Sequence, residues 1–149
     1  MKRTSFADVS CPVARTLDLI GEWWTLLILR DVFYGVRRFD KLLSSLGISR
    51  NVLTDRLHTL VESGILEKQI YQQKPERYEY HLTESGRELL PVLVLLMNWG
   101  NRWLATDTKA SVELVHEPCG QTVAPLLVCH HCNKQITTRN VRLHNLELV

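Results

Sequence analysis

The chain has 149 residues, of which 45% are hydrophobic and 23% are charged, and its formal net charge is +2 at pH 7. These values are typical of a water-soluble globular protein with one domain, or one domain and a small appendage. No apolar run reaches the ~18 residues of a membrane span, and no apolar stretch follows Lys2 and Arg3. We therefore expect a cytoplasmic protein without a secretory signal, whose four cysteines are not structural disulfides. We detect no internal repeat.

Three helices are predicted in the first third of the chain. The first begins at Cys11-Pro12, because proline is favoured at the first helical position, and it ends before Gly21. The second, Trp23–Phe33, is too apolar on all sides to face water. The third, Phe39–Leu46, places its apolar residues three and four positions apart, which is the spacing of one buried face.

A fourth helix is predicted over 49–63, directly after a tight connection. Ser49 is a favourable N-cap residue, and the leucines that follow share one helical face. At 100° per residue the other face is polar, and it carries Asn51, Thr54, Asp55, His58 and Glu62.

A β-hairpin is predicted next. The segments 65–71 and 77–82 are β-like, with the clearest polar and apolar alternation in the second, and a polar loop with a proline, 72–76, joins them. Such a hairpin after a helix-turn-helix is typical of a DNA-binding wing, here 71–77.

The predicted fold is mainly α with a small β-hairpin, a winged helix-turn-helix of the α+β class. Thr83 is expected to cap one long helix over 84–104, kinked at Pro91. We expect a DNA-binding and dimerisation domain at 1–105 and a Cys/His-containing, zinc-ribbon-like appendage at 106–149.

A series of short motifs runs from Cys11 to Leu104. They are C-P at 11–12, L-I-G at 19–21, W-T-L-L-I-L-R at 24–30, R-F at 38–39, G-I-S at 47–49, L-T at 53–54, R-L at 56–57, G-I-L at 64–66, Y-E-Y at 78–80 and L-T at 82–83, with Gly86, Leu89 and Trp99. Together they resemble the HxlR family of bacterial transcriptional regulators. The resemblance implies a homodimeric winged-helix protein that binds double-stranded DNA and represses or activates nearby genes.

Two groups of residues are candidates for DNA contact. Arginine pairs bidentately with guanine and asparagine with adenine, so Arg50 and Asn51 are the strongest base-reading candidates. The full base-facing set is Arg50, Asn51, Thr54, Asp55 and His58, and the phosphate set is Arg37, Arg38, Arg56, Lys74 and Arg77. Spacing alone favours a solvated helix face, and a structural salt bridge fits Arg56 nearly as well; the family resemblance favours DNA contact.

The charge distribution permits such a DNA-binding surface. Residues 37–77 contain eight basic and five acidic side chains, a local net charge of +3. A mild basic bias of this kind allows phosphate binding without requiring it.

A homodimer is predicted from the apolar content of 84–104. The apolar residues there cover more than one helical face, which one small domain cannot bury. A second subunit is the simpler explanation, and burial under the appendage is the alternative.

Cys11 is a candidate thiol sensor. It lies at a predicted helix N-terminus, where the helix dipole favours the thiolate. The family resemblance implies electrophile or oxidant sensing at this position, through an adduct or an intersubunit disulfide. The alternative is a small buried residue that holds the N-terminal arm.

A second cysteine group predicts a metal site. The pairs His116-x2-Cys119 and Cys129-x2-Cys132 have the spacing of one tetrahedral Zn²⁺ site, and His130 or His131 could replace His116. We expect a structural zinc; unligated reduced cysteines or a disulfide are the alternatives.

The sequence therefore predicts a DNA-binding transcriptional regulator and not an enzyme. Its expected partners are double-stranded DNA, a second copy of the chain, and a small-molecule or oxidant effector, with no membrane. The rival is a zinc- or thiol-dependent metalloregulator or enzyme that uses Cys11 or the His116/Cys119/Cys129/Cys132 group. No P-loop, dinucleotide fingerprint or serine-nucleophile elbow supports an enzyme.

Overall fold

The computed structural model describes residues 5–104, 106, 112–142 and 144. The chain divides into two compact units, Met1–Leu93 and Val94–Val149. In chain order the helices and strands are α1 (Pro12–Ile20), α2 (Trp23–Phe33), α3 (Phe39–Leu46), α4 (Arg50–Glu62), β1 (Leu66–Gln73), β2 (Glu76–Leu82), α5 (Glu84–Arg87), α6 (Leu90–Trp103), β3 (Val115–His116) and β4 (Gln121–Thr122). None of the helices in these described ranges is long and apolar enough to cross a membrane. The predicted winged helix-turn-helix fold is confirmed.

The core of the first unit lies among α2, α3, α4 and the start of β1. Leu53, Leu57 and Leu60 are buried on one face of α4, so the opposite, polar face of this helix is turned to solvent. Burial of each such side chain stabilises the fold by about 1.5–3 kcal/mol. The largest fully buried hydrophobic side chains are Ile28, Leu29, Leu42, Leu53, Leu57, Leu60 and Leu66.

A glycine and a serine set the turn between α3 and α4. Gly47 has φ 63°, a left-handed conformation that favours glycine, and its N–H donates to the Leu43 carbonyl at 3.0 Å. The Ser49 hydroxyl then accepts from the Val52 N–H at 3.3 Å, which caps α4 as the sequence predicted. The turn fixes where the N-terminus of α4 projects.

The wing is an antiparallel hairpin of β1 and β2, with a register shift between Ile70 and Gln72. Its strands are longer than predicted, because Gln73 pairs with Glu76 and leaves only two residues in the turn. The segment before α3 adds an edge contact, since the Tyr80 N–H donates to the Arg37 carbonyl at 2.8 Å. The wing is therefore tied to the helix-turn-helix.

The predicted single helix over 84–104 is wrong, because two helices occupy this range. Thr83 caps α5 by accepting from the Gly86 N–H at 3.2 Å, but α5 ends after one turn. Gly86 lies so close to the carbonyl of Ile65 that a Cβ would overlap it. Pro91 stands at the second position of α6, where a missing N–H costs nothing, so it starts a helix and does not kink one.

The second unit contains two similar hairpins, 114–123 and 127–136, offset by 13 residues. The Val123 N–H donates to the Leu114 carbonyl at 2.7 Å, and the Ile136 N–H donates to the Leu127 carbonyl at 2.8 Å. The expectation of no internal repeat was therefore wrong.

The tips of the two hairpins also correspond. The Gly120 N–H donates to the His116 carbonyl, and the Asn133 N–H donates to the Cys129 carbonyl, both at 2.8 Å. Gly120 and Asn133 both have left-handed backbones, with φ 67° and 55°. Asparagine is one of the few residues that tolerate this conformation, so it can stand in the second repeat where the first has glycine.

Candidate nucleic-acid interface and cysteine sites

The polar face of α4 is exposed, and it carries the predicted base-facing residues Asn51, Thr54, Asp55 and His58. The Thr54 hydroxyl donates to the Arg50 carbonyl at 2.8 Å, one turn earlier in the helix. His58 Nδ1 lies 3.3 Å from a Glu62 carboxylate oxygen. Asn51 has no side-chain hydrogen bond to any part of the chain that the structure describes, so its amide is available for a partner.

Arg50 has intramolecular contacts that the sequence did not indicate. Its guanidinium lies 3.5 Å from an Asp40 carboxylate oxygen and 5.0 Å from the centre of the Phe39 ring. Both partners are in the first turn of α3, so Arg50 bridges the two helices at their N-termini. It is nonetheless exposed, and its role as a base reader stays a prediction.

Arg38 connects the start of α3 to the wing. Its Nε donates to Glu79 Oε1 at 2.8 Å, and its guanidinium lies 4.4 Å from the centre of the Tyr71 ring. This hydrogen bond lowers the pKa of Glu79, and His81, whose Nε2 lies 3.5 Å from Glu79, lowers it further. Arg38 was predicted as a phosphate contact, and this arrangement gives it a second role in positioning the wing.

The remaining predicted cations differ in their surroundings. Arg56 is largely buried and lies 3.8 Å from Glu22, which fits the alternative of a structural salt bridge. Arg37, Lys74 and Arg77 are exposed, the last two at the turn of the wing and the start of β2. Arg38 is exposed as well, but its guanidinium is paired with Glu79.

An open cleft of about 430 Å³ separates the start of α3 and α4 from the wing. It is lined by Phe39, Asp40, Arg50, Tyr71, Glu76, Arg77, Tyr78 and Tyr80. The tyrosines were not among the predicted site residues, although Tyr78 and Tyr80 are two apart on a strand and so lie on one face. A hydrogen bond from the Tyr78 hydroxyl to Glu76 raises the pKa of Tyr78, and burial raises that of Tyr80.

Cys11 is the N-cap residue of α1 and is partly buried. Its carbonyl accepts from the Arg15 N–H at 3.1 Å, and its side chain makes no capping hydrogen bond. It is a free thiol, as are the other three cysteines of the chain. The structure thus places Cys11 at a helix start, as predicted, with its thiol partly accessible.

The His116, Cys119, Cys129 and Cys132 side chains form two pairs at the tips of the two hairpins. His116 Nδ1 lies 3.3 Å from Cys119 Sγ. Backbone N–H groups of Cys132 and His131, with the Cys132 thiol, hydrogen-bond to Cys129 and lower the pKa of its thiol. Within the described ranges, no three His, Cys, Asp or Glu side chains are gathered as a metal site would require.

Apolar side chains are exposed along α1 and α6. In α1, Val13 and Leu17 face solvent, and in α6, Trp99 and Trp103 are 56% and 62% exposed. Other exposed apolar residues of α6 are Leu90, Val92, Leu95 and Leu96. Exposure on this scale is typical of a surface that another chain covers.

Comparison with known proteins identifies the family. The model of the HxlR-like helix-turn-helix family matches residues 19–108. The HTH-type transcriptional regulator Rv3095 of Mycobacterium tuberculosis is 49% identical over 129 residues, which are 87% of this chain and 82% of that protein. Similar proteins of Synechocystis and Bacillus subtilis also bear the name HTH-type transcriptional regulator.

Solved structures agree with this assignment. PA1607, described as a candidate transcription factor, is 36% identical with a TM-score of 0.85, covering 95% of this chain and 99% of PA1607. The redox regulator HypR in its oxidised form is 34% identical with a TM-score of 0.53, covering 66% of this chain and 100% of HypR. The chain therefore belongs to the HxlR family of winged helix-turn-helix transcriptional regulators.

Proposed function

We propose that this regulator binds double-stranded DNA in the cytoplasm as a homodimer, with α4 of each subunit in the major groove of one half of an inverted repeat. The observation that carries the proposal is the solvent-facing polar surface of α4, opposite its buried leucines. A major groove admits one helix, and base edges are read by polar side chains on such a face.

Within this arrangement, Asn51 is the principal base reader. It lies in the first turn of α4, where recognition helices contact bases, and its amide can bond adenine bidentately. Thr54 and His58 contribute further base contacts, and Asp55 accepts from a cytosine amino group. Arg50 exchanges its Asp40 partner for a guanine, since a carboxylate at 3.5 Å between two exposed side chains is a weak partner.

The flanking phosphates are contacted by exposed cations. Lys74 and Arg77 at the wing and Arg37 before α3 are accessible and belong to the same unit as α4. Arg38 positions the wing through its ion pair with Glu79 and adds a positive charge beside the wing. Arg56 positions α4 through its ion pair with Glu22. Such contacts set affinity and register, while the base contacts set sequence preference.

The homodimer forms through the exposed apolar side chains of α6. A surface with two half-exposed tryptophans and several leucines is costly to leave in water, because each buried Å² of apolar area contributes about 25 cal/mol. A two-fold symmetric dimer also matches an inverted-repeat site.

Cys11 makes the regulator responsive to oxidants. HypR is named as a redox regulator and has a related structure, which supports a thiol response in this chain. A two-electron oxidant converts two Cys11 thiols of the dimer to a disulfide, with loss of two protons, and shifts the dimer geometry. Replacement of Cys11 by serine is expected to abolish oxidant-dependent release of DNA.

Selection of bound sequences from a random pool of duplexes tests the DNA-binding proposal. The expected result is an inverted repeat whose half-sites are about one helical turn apart. The Asn51→Ala variant is expected to lose preference at one position of each half-site, whereas Thr59→Ala, a substitution elsewhere on α4, is the matched control. A pool that shows no enriched sequence, or an unchanged preference in Asn51→Ala, contradicts the proposal.

A further inference from the structure

The two hairpins of the second unit present the same pair of donor positions. In the sequence, L-V-H-E-P-C-G-Q-T-V at 114–123 aligns with L-V-C-H-H-C-N-K-Q-I at 127–136. His116 therefore corresponds to Cys129, and Cys119 corresponds to Cys132. Each pair brackets a turn closed by a 2.8 Å hydrogen bond to the carbonyl of its first member, with a left-handed residue immediately after its second.

We propose that this repeat is a zinc site, in which one Zn²⁺ is held by His116, Cys119, Cys129 and Cys132, two ligands from each hairpin tip. Short-spaced pairs on two hairpin turns are the arrangement by which zinc ribbons supply four ligands. The family model ends at residue 108, before the repeat, so membership of the family does not account for these residues.

The geometry of each tip suits a metal ligand pair. His116 Nδ1 and Cys119 Sγ are already 3.3 Å apart, close to the separation of two ligands on one tetrahedral ion. The backbone N–H groups that point at Cys129 are the outer contacts that stabilise a metal-bound thiolate. Binding releases three thiol protons and leaves the imidazole neutral, so the complex carries a net charge of −1.

The second unit also needs a stabilising element other than a core. Among its described residues, 94–104, 106, 112–142 and 144, no side chain is buried. Several of its apolar residues are instead exposed, for example Val115 at 60%, Leu126 at 68% and Leu127 at 54%. A small unit without a core requires a cross-link, and zinc that joins the two hairpins supplies one because the binding free energy becomes folding free energy.

Zinc acts here by joining two preformed pairs. The structure places His116 beside Cys119 and Cys129 beside Cys132. Within the described ranges, no third donor joins either pair. Each pair alone is a weak site, since structural zinc takes four protein ligands. Metal binding is therefore expected to order the two hairpins relative to each other.

Native mass spectrometry of the full-length protein, purified with zinc present, tests the proposal directly. At a given charge state the expected mass is that of the metal-free chain plus one zinc minus two protons, because the charge of Zn²⁺ replaces two protons. Substitution by Co²⁺ is expected to give the visible absorption of a tetrahedral site with thiolate charge-transfer bands. A protein with less than one zinc per several chains, or one whose cysteines have formed a Cys129–Cys132 disulfide, overturns the proposal.

Variants then identify the ligands. His116→Ala, Cys119→Ser and Cys132→Ser are each expected to lose zinc, while His130→Ala, His131→Ala and Cys11→Ser keep it. Alkylation of the wild type is expected to modify Cys11 and to spare the other three cysteines until zinc is chelated, a readout that does not depend on a variant folding. Retention of zinc by Cys132→Ser, or loss of zinc in His130→Ala or His131→Ala, contradicts the assignment.

The test separates this proposal from that of DNA binding. Chelation of zinc is expected to expose the cysteines and leave sequence preference for DNA unchanged, because α4 and the wing lie in the other unit. A change of the preferred DNA sequence on chelation would show that the metal acts on α4 and would overturn the structural role. Failure of zinc binding with intact DNA binding would remove the zinc site alone.

Discussion

The two units of the chain achieve order in different ways. Among its described residues, the first unit buries ten hydrophobic side chains, from Ile20 to Leu66, around which its helices and wing are arranged. The second unit, in its described part, buries none and instead repeats one small hairpin. A hydrophobic core thus fixes the polar face of α4, whereas backbone turns fix the cysteine pairs. Substitutions are therefore expected to have different consequences in the two units.

The largest expected effect is on the stability of the first unit. Leu57→Ala removes a fully buried side chain from the face of α4 that packs on the core, and it is expected to destabilise the fold by about 2–5 kcal/mol. Leu126→Ala, the matched change at a 68% exposed position, is expected to change stability by no more than about 0.5 kcal/mol. Chemical denaturation of both variants measures the difference, and equal losses would contradict the contrast between the units.

The next effect is on base recognition. Arg50→Ala and Asn51→Ala are each expected to cost about 1–3 kcal/mol of binding to the preferred site and to relax preference at one position. Neither residue supports the core, so both variants are expected to keep the melting temperature of the wild type. Binding to a set of duplexes with single base-pair changes measures this effect, and a loss that is equal on every duplex would show that these residues contact only phosphate.

A smaller effect is expected from the wing. Lys74→Ala is expected to weaken binding to all sequences alike and to lower the slope of log affinity against log salt concentration by about 1, because one phosphate contact is lost. Lys134→Ala removes the same charge from the second unit and is the control. A change in sequence preference in Lys74→Ala, or an equal change of slope in Lys134→Ala, would argue against a phosphate contact at the wing.

The smallest effect concerns the contact of Arg38 with Glu79. The pKa of Glu79 is lowered in the folded chain, first by its hydrogen bond from Arg38. The contact therefore adds stability above the unfolded pKa of about 4.3, and this stability is lost as the pH falls through the lower folded pKa. The melting temperature of Glu79→Gln is expected to lie slightly below that of the wild type at pH 7, with the gap closing below pH 4. A difference in melting temperature between the two proteins that is constant from pH 7 to pH 3 would refute a stabilising contact between Arg38 and Glu79.

The sequence predicted the first unit well because its elements are set by local patterns. Apolar residues three and four apart predicted α3, Pro12 predicted the start of α1, and Ser49 predicted the start of α4 within one residue. The predicted hairpin is also present, although its turn is shorter than expected. These features require only the periodicity of helices and strands.

The errors concern contacts between residues that are distant in sequence. The break between α5 and α6 is associated with the close approach of Gly86 to Ile65, which periodicity cannot reveal. Likewise, Arg38 and Glu79 are 41 positions apart, so their pairing could not be read from the chain.

The repeat of the second unit was visible in the sequence but was missed. Its two copies share Leu, Val and the second Cys, yet exchange His116 for Cys129 and Gly120 for Asn133. The exchanged residues have similar chemical roles. Histidine and cysteine are both zinc ligands, and glycine and asparagine both tolerate a left-handed backbone. The repeat becomes visible when the residues of the two segments are aligned by chemical role and not by identity.

A structure of the protein bound to its selected duplex tests the central claim most directly. The account predicts two protomers related by a two-fold axis, each with α4 in a major groove, Asn51 at a base edge, and Lys74 beside a phosphate. A complex in which the polar face of α4 points away from the DNA, or in which a single subunit occupies the whole site, would contradict it.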